Sequence, residues 1–161
     1  MSLLYNKKWK SGAGQILSIK EVNNKISKHL SANDKLFIGS DSFISQKKVC
    51  FVTAVCLLTN NFGGKYFFYK EKIPSHTYKN LTNRITEEAR RSIELAEFFT
   101  EKFHLEPNQI ELHLDVSPSS AKEGTSKISD MLKGYVQGYG FQCKLKPHAW
   151  ASQSVADRHS K

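Results

Sequence analysis

Four acidic residues invite a chemical reading of this 161-residue chain: Asp41 in "LFIGSDSF", Glu88 in "RITEEARRSIELAE", Asp115 in "ELHLDVSPSS" and Asp157 in "SVADRHSK". Asp41 and Asp115 each stand where an apolar run of strand character gives out. In α/β sheets the loops converge beyond the carboxyl ends of strands, so functional groups gather there. If those two strands are adjacent and parallel, the carboxylates meet, and close anions persist only when one takes up a proton or a cation lies between them. Glu88 continues the helical row Leu81, Ile85, Ser92, Leu95 and Phe99, which points it at the sheet, whereas Glu87 shares its side with Arg84 and Arg91 and is expected in solvent. Small residues follow Glu88, namely Ala89, Ser92 and Ala96, and these allow a helix to approach a sheet closely. Asp157 stands beside Val155 and Ala156, with His159 two residues on. Each acid alone has an ordinary role: Asp41 in a turn, Glu88 beside Arg84, Asp115 as a cap, Asp157 as a helix-surface charge. Four acids at the convergence points of one sheet argue for a shared site.

The elements that must position them follow from the hydrophobic periods. Ser18 and Glu21 have capping-box spacing, and Ile19, Val22, Ile26 and Leu30 recur at helical intervals, which predicts a short packing helix. Three strands are expected next, "LFIGS", "KVCFVTAVCLL" and "KYFFYKEKI", joined by the polar turn "SFISQK" and an Asn-Asn-Phe-Gly-Gly loop. Such short connections imply antiparallel hairpins. The second strand is apolar on both faces and belongs inside the sheet. From Asn80 to Phe103 the period is helical. A fourth strand, "QIELHLDVS", alternates Ile110, Leu112 and Leu114 against Glu111 and His113. A helix from about Ser126 carries Ile128, Leu132, Tyr135, Val136 and Tyr139 on one side and stops at Gly140, where a left-handed turn suits glycine. "FQCKLK" forms the fifth strand, closed by Pro147, and a short terminal helix begins near Ser152. Right-handed crossovers then make the sheet mixed, five-stranded, with helices on both faces. The length fits one domain, 1–161, whose first 34 or so residues are a basic arm, loosely attached, and an extra helix.

Lys and Arg outnumber Asp and Glu by 24 to 15, a formal charge of +9, which suits a polyanionic partner. Cys50, Cys56 and Cys143 lie in apolar runs without CxxC spacing and are read as buried free thiols in a reducing compartment. "MSLLYNKKWKSGAGQ" has no apolar core of a secretory signal, and "VCFVTAVCLL" is too short to span a bilayer, so a soluble cytoplasmic protein is expected, without a membrane partner. No GxxxxGK[ST], HExxH, paired CxxC or GxSxG is present. P-loop hydrolysis, zinc proteolysis and α/β-hydrolase chemistry therefore lack support.

The order of elements and acids resembles the ribonuclease H-like superfamily. "FIGSDSF", "RITEEARRSIELAE", "ELHLDVSPSS" and "GYGFQCKLKPHAWASQSVADRHSK" look more narrowly like the YkuK family of bacterial proteins, from about Leu36 to the C-terminus. The resemblance implies a ribonuclease H-like α/β fold, with Asp41, Glu88, Asp115 and Asp157 as catalytic and metal-binding residues. Oxygen-only ligands favour Mg²⁺ or Mn²⁺. Two such ions roughly 3.5 to 4 Å apart serve phosphodiester hydrolysis, with Asp41 bridging, Glu88 and Asp115 on the first ion and Asp157 on the second. His159 or His148 is a candidate for proton transfer. Lys144, Lys146, His148 and Arg158, together with Lys47 and Lys48 in the hairpin turn, are expected to contact nucleic acid, RNA or DNA, through phosphates. Trp150 either stacks on a base or anchors the terminal helix. No basic hairpin of the kind that holds a hybrid duplex is apparent. The competing reading is a non-catalytic nucleic-acid-binding or regulatory module that keeps this fold.

Overall fold

A long strand, β3 (Leu36–Ser45), is the axis of the molecule, and the computed structural model describes it with residues 3–30, 34–59, 63–118 and 126–160. On one side β3 pairs antiparallel with β4 (Lys48–Thr59), which pairs antiparallel with β5 (Gly63–Pro74). On the other side it pairs parallel with β6 (Ile110–His113), and β6 with β7 (Gln142–Lys144). Of the Asn-Asn-Phe-Gly-Gly loop only the two glycines lie within the described residues.

Among the described residues the sheet has seven strands rather than the five expected. The two additional ones are β1 (Trp9–Ser11) and β2 (Ile16–Leu17), and β1 pairs antiparallel with β5. The basic segment is therefore not a loose arm. Trp9 is fully buried with its ring edge-on to Tyr69 at 4.8 Å, so a large apolar side chain pins β1 to β5.

Helices cover the two faces unequally. On one face, α2 (Leu81–Phe103) lays Ile85, Ala89, Ser92, Ala96 and Phe99 against Ile38, Val55 and Leu112 in the main core. Its start is fixed by Asn80, whose side chain accepts from the Thr82 and Asn83 amides at 2.8 and 3.3 Å. Helix α1 (Ile19–His29) joins the same core, capped as its spacing predicts by Ser18, which accepts from the Glu21 amide at 3.2 Å. Helix α3 (Ser126–Gly138) buries Leu132 and Val136 and ends before Gly140 at φ +88°, the left-handed turn expected there, although Tyr135 and Tyr139 stay exposed. Among the described residues, the other face receives only a π-helical turn, Ala151–Ala156, running into a one-turn helix α4 (Asp157–Ser160). Together they form a smaller cluster in which Ala151 and Ala156 pack with Val52, Ala54 and Phe68.

Candidate functional site

Backbone register brings the first two acids together. The last parallel pair between β3 and β6 is Gly39 with His113, so Asp41 and Asp115 each lie two residues beyond it, on neighbouring chains leaving the ladder side by side. Asp41 is not at a strand end, contrary to the sequence expectation. Pairing with β4 carries β3 on to Ser45, because a long partner strand supplies hydrogen bonds after the apolar run has ceased.

Side chains of β3 alternate between the faces, and each side recruits one more acid. Ser40 and Ser42 point at α2. Ser40 Oγ lies 2.9 Å from Ser92 Oγ and donates to Thr53 Oγ1 at 3.1 Å, while Ser42 Oγ donates to Glu88 Oε1. Glu88 is only 7% exposed, as its place on the helical stripe predicts. Glu87 is half-buried rather than solvated, tied to Arg90 at 2.6 Å and Arg91 at 3.2 Å. Asp41 faces the terminal segment, where Ser160 Oγ donates to its Oδ2 at 3.0 Å and the Asp157 carboxyl shares a hydrogen bond with it.

Gly39 permits this arrangement. A Cβ there would collide with the Ser152 amide nitrogen and stand 2.6 Å from the Ala151 carbonyl carbon, so the π-helical turn rests directly on β3. Two further contacts hold it. The Ala151 amide donates to His113 Nδ1 at 3.0 Å, leaving Nε2 of the ring to donate to Glu111 Oε1 at 3.0 Å. The Trp150 ring lies against Phe37 and His113, at 5.0 and 5.2 Å, which is the anchoring role. Glu111 and His113 are thus buried, although they alternate with the apolar Ile110, Leu112 and Leu114. Each satisfies the other, with Lys35 Nζ 3.5 Å from Glu111 Oε2. Burial holds the His113 imidazole below its usual pKa. Alternation alone could not identify this pair, because its partners arrive from the far end of the chain.

The electrostatics follow from crowding. Burial first, then the hydrogen bond with Asp157 and the charge of Asp115, raise Asp41 to about 7. Burial, with Asp41 and then Asp115 nearby, raises Glu88 well above the carboxylate range. Glu88 and Asp115 line a common cavity of about 10 Å³, the room of a single water molecule. Asp115 Oδ1 is shielded from solvent and lies 3.2 Å from Lys146 Nζ without hydrogen-bond geometry. Hard oxygen donors, crowded carboxyls and a shielded carboxylate oxygen lacking a hydrogen bond are the chemistry that Mg²⁺ or Mn²⁺ suits. Among the described residues, however, no group of three or more His, Cys, Asp or Glu side chains is arranged to hold a metal ion. The Asp41 carboxyl is instead hydrogen-bonded to Asp157 and Ser160, and Lys146 lies beside Asp115.

The other expected site residues scatter. The His159 ring stacks on Phe68 at 3.9 Å and its Nε2 lies 2.8 Å from Tyr66 Oη, so it clamps α4 to β5. Lys144 ends β7, His148 is exposed before the π-helical turn, and Arg158 is exposed on α4. Lys47 and Lys48 are exposed at the β3–β4 turn. Cys50, Cys56 and Cys143 are free, but of the three expected to be buried only Cys56 is, Cys50 and Cys143 being half-buried. Among the described residues no helix is long and apolar enough to cross a membrane.

No curated protein and no solved structure matches the chain. A family model described as Ribonuclease H-like matches residues 18–161, nearly the whole sequence and every acid of the cluster. The chain belongs to this ribonuclease H-like family, the one of YkuK type.

Proposed function

We propose that the protein is a metal-dependent nuclease that hydrolyses phosphodiester bonds of nucleic acid, using Asp41, Glu88, Asp115 and Asp157 to hold Mg²⁺ or Mn²⁺. The observation that carries this reading is the meeting of acids from β3, α2, the end of β6 and α4 at the point where the parallel ladder stops. Bound there, the cations supply charge neutralisation for a phosphodiester under attack by water and for the oxygen that leaves.

The chain's own groups have defined tasks. Asp157 is held beside Asp41 by a side-chain hydrogen bond, and Ser160 keeps the Asp41 Oδ2 oriented. Ser42 orients Glu88. Lys146, on leaving Asp115, is a cation beside the site suited to a phosphate. His159, fixed by Phe68 and Tyr66, positions α4 and so Asp157.

The test is cleavage of labelled single- and double-stranded RNA and DNA with Mg²⁺ or Mn²⁺, and its loss in EDTA. Asp41→Asn and Glu88→Gln are expected to abolish cleavage, roughly a thousandfold or more, whereas Glu87→Gln keeps most of it. Cleavage that survives Asp41→Asn overturns the assignment. Lys146 beside Asp115 favours a second reading, a nucleic-acid-binding module without hydrolysis. Tight binding with no cleavage under any divalent cation would establish it.

A further inference from the structure

The terminal segment covers only part of its face of the sheet, and the part left open carries a regular set of cations. Residues directly opposite one another in a sheet share a face, and alternate residues along a strand return to it. One row across β3, β4 and β5 is Asp41, Val52 and Lys70. The next row on that face is Phe43, Cys50 and Lys72, and the one after is Ser45, Lys48 and Pro74. On the other side of β5, Lys10 of β1 lies opposite Phe68, on the same face as Lys70. Phe43 is 41% exposed, and Lys48, Lys70 and Lys72 are exposed.

These cations are uncommitted. Lys7, Lys35 and Lys146 each hold a carboxylate. Among the described residues, Lys10, Lys47, Lys48, Lys70 and Lys72 have no carboxylate within ion-pair distance. Where the face meets the β3–β4 turn, a cavity of about 740 Å³ opens, lined by Phe43, Ser45, Lys47, Lys48, Cys50 and Lys72. That volume lies within the usual range for a small-molecule site.

We infer that this open face is a track for single-stranded nucleic acid, leading from the acid cluster at Asp41 past Phe43 to the cavity at the β3–β4 turn. The inference rests on the nuclease reading for the direction of the track, and on the face itself for binding. An exposed aromatic ring flanked by unpaired lysines is the combination that receives a base by stacking and its phosphates by charge. From Phe43 to Lys72 is two inter-strand steps, roughly 9.6 Å, a width for one strand rather than a duplex. Phe43 is the next residue after Asp41 on that face, so the ring grips the nucleotides adjoining the bond presented to the acids.

The experiment is fluorescence anisotropy of the full chain in EDTA with a labelled 12-nucleotide single strand and a duplex of the same length. The single strand is expected to bind at least tenfold more tightly than the duplex. Phe43→Ala should weaken single-strand binding about tenfold. Lys70→Glu with Lys72→Glu should weaken it further and lower the slope of log affinity against log salt by about 1.4. The same double reversal at Lys28 and Lys102, exposed on α1 and α2, should change affinity less than twofold. Thermal melts verify that every variant is folded. Wild-type binding that ignores Phe43→Ala and the Lys70, Lys72 change, equal or tighter binding of duplex, or no binding by wild type overturns the track. Binding along the track without cleavage under any cation sinks the nuclease reading and leaves the track standing. Cleavage by wild type with binding unaffected by the variants does the reverse.

Discussion

The two faces of the sheet solve different problems with the same strands. The α2 face is closed by a 23-residue helix and α1, and its charged groups are consumed internally: Arg91 reaches Glu71 at 2.8 Å while its guanidinium lies over Phe51 at 4.4 Å. Among the described residues the opposite face is closed only by the ten of the π-helical turn and α4, beyond which lysines and Phe43 stay uncovered. Strand β3 serves both. Leu36 and Ile38 build the main core, while Phe37, Gly39, Asp41 and Phe43 successively seat Trp150, admit the terminal turn, supply an acid and leave an exposed ring. On β3 itself the main-core residues Leu36 and Ile38 stand on one side and Gly39, Asp41 and Phe43 on the other, so neighbouring substitutions should have unlike consequences.

The largest contrast is expected at positions 38 and 39. Gly39→Ala pushes a methyl into the Ala151–Ser152 backbone, which cannot yield as a flexible side chain would. The terminal turn should lift, taking Asp157 and Ser160 from Asp41, with a cost of about 3 kcal/mol and loss of cleavage. Hydrogen exchange should show residues 149–160 losing protection while α2 keeps its own. Ile38→Val removes one buried methyl from the α2 side, at a cost of about 1 kcal/mol, and should leave turnover within twofold. Equal loss of activity from both would mean that the faces are not separable.

The same contrast divides what the sequence reveals from what it hides. The long strands and α2 are legible because their periods extend over many residues, and Glu88 is legible because a carboxylate on an apolar stripe breaks the pattern. The strands β1 and β2 span three and two residues, too few for any period, so Trp9 reads as part of a basic arm. Glu111 and His113 look solvent-facing because their cover, Trp150 and the Ala151 amide, lies nearly forty residues away in the chain. The lysine track is hidden for a different reason. Lys10, Lys48, Lys70 and Lys72 belong to three strands and fall together only through register, whereas proximity in sequence singles out Lys144, His148 and Arg158.

A second contrast is in the sign of pH dependence. Asp41, raised to about 7 from a usual 3.8, holds in the folded state a proton that the unfolded chain has released. Its contribution is complete below about pH 4 and is lost as pH rises through 7. Glu88 acts in the same direction. At Glu71 burial alone would raise the pKa, but Lys7 and Arg91 outweigh it and hold the carboxyl below its usual value. Its contribution is therefore present above that usual value and lost as pH falls through the lowered one. Without divalent cations, wild type should melt roughly 5 °C lower at pH 8 than at pH 5.5. Asp41→Asn should flatten that slope, and Glu71→Gln should leave it while easing the decline below pH 4. A wild-type melting temperature that climbs from pH 5.5 to 8 would contradict the proton held at Asp41.

The smallest effect belongs to the residue that joins the two regions, Lys146, whose ammonium lies 3.2 Å from Asp115 Oδ1 with its side chain one-third exposed. A partly exposed pair of this kind contributes at most about 1 kcal/mol, but its neighbours change its meaning. With Lys146→Met, Asp115 loses its counter-charge while Asp41 and Glu88 remain close, so the protein in EDTA should melt roughly 2 to 4 °C lower than wild type. Asp115→Asn removes the pair and the repulsion together, and the two changes oppose each other, so its melting temperature in EDTA should stay within about 2 °C of wild type. Millimolar Mn²⁺ separates the variants further. A ligand that binds only the folded state raises stability by RT ln(1 + [L]/Kd), and Lys146 stands against the carboxylate oxygen that a cation would take. Lys146→Met should therefore gain more from Mn²⁺ than wild type does, and Asp115→Asn should gain least. If Mn²⁺ raises the melting temperature of all three proteins equally, Asp115 is no part of a cation site and Lys146 serves only to fasten the end of β7 to the chain leaving β6.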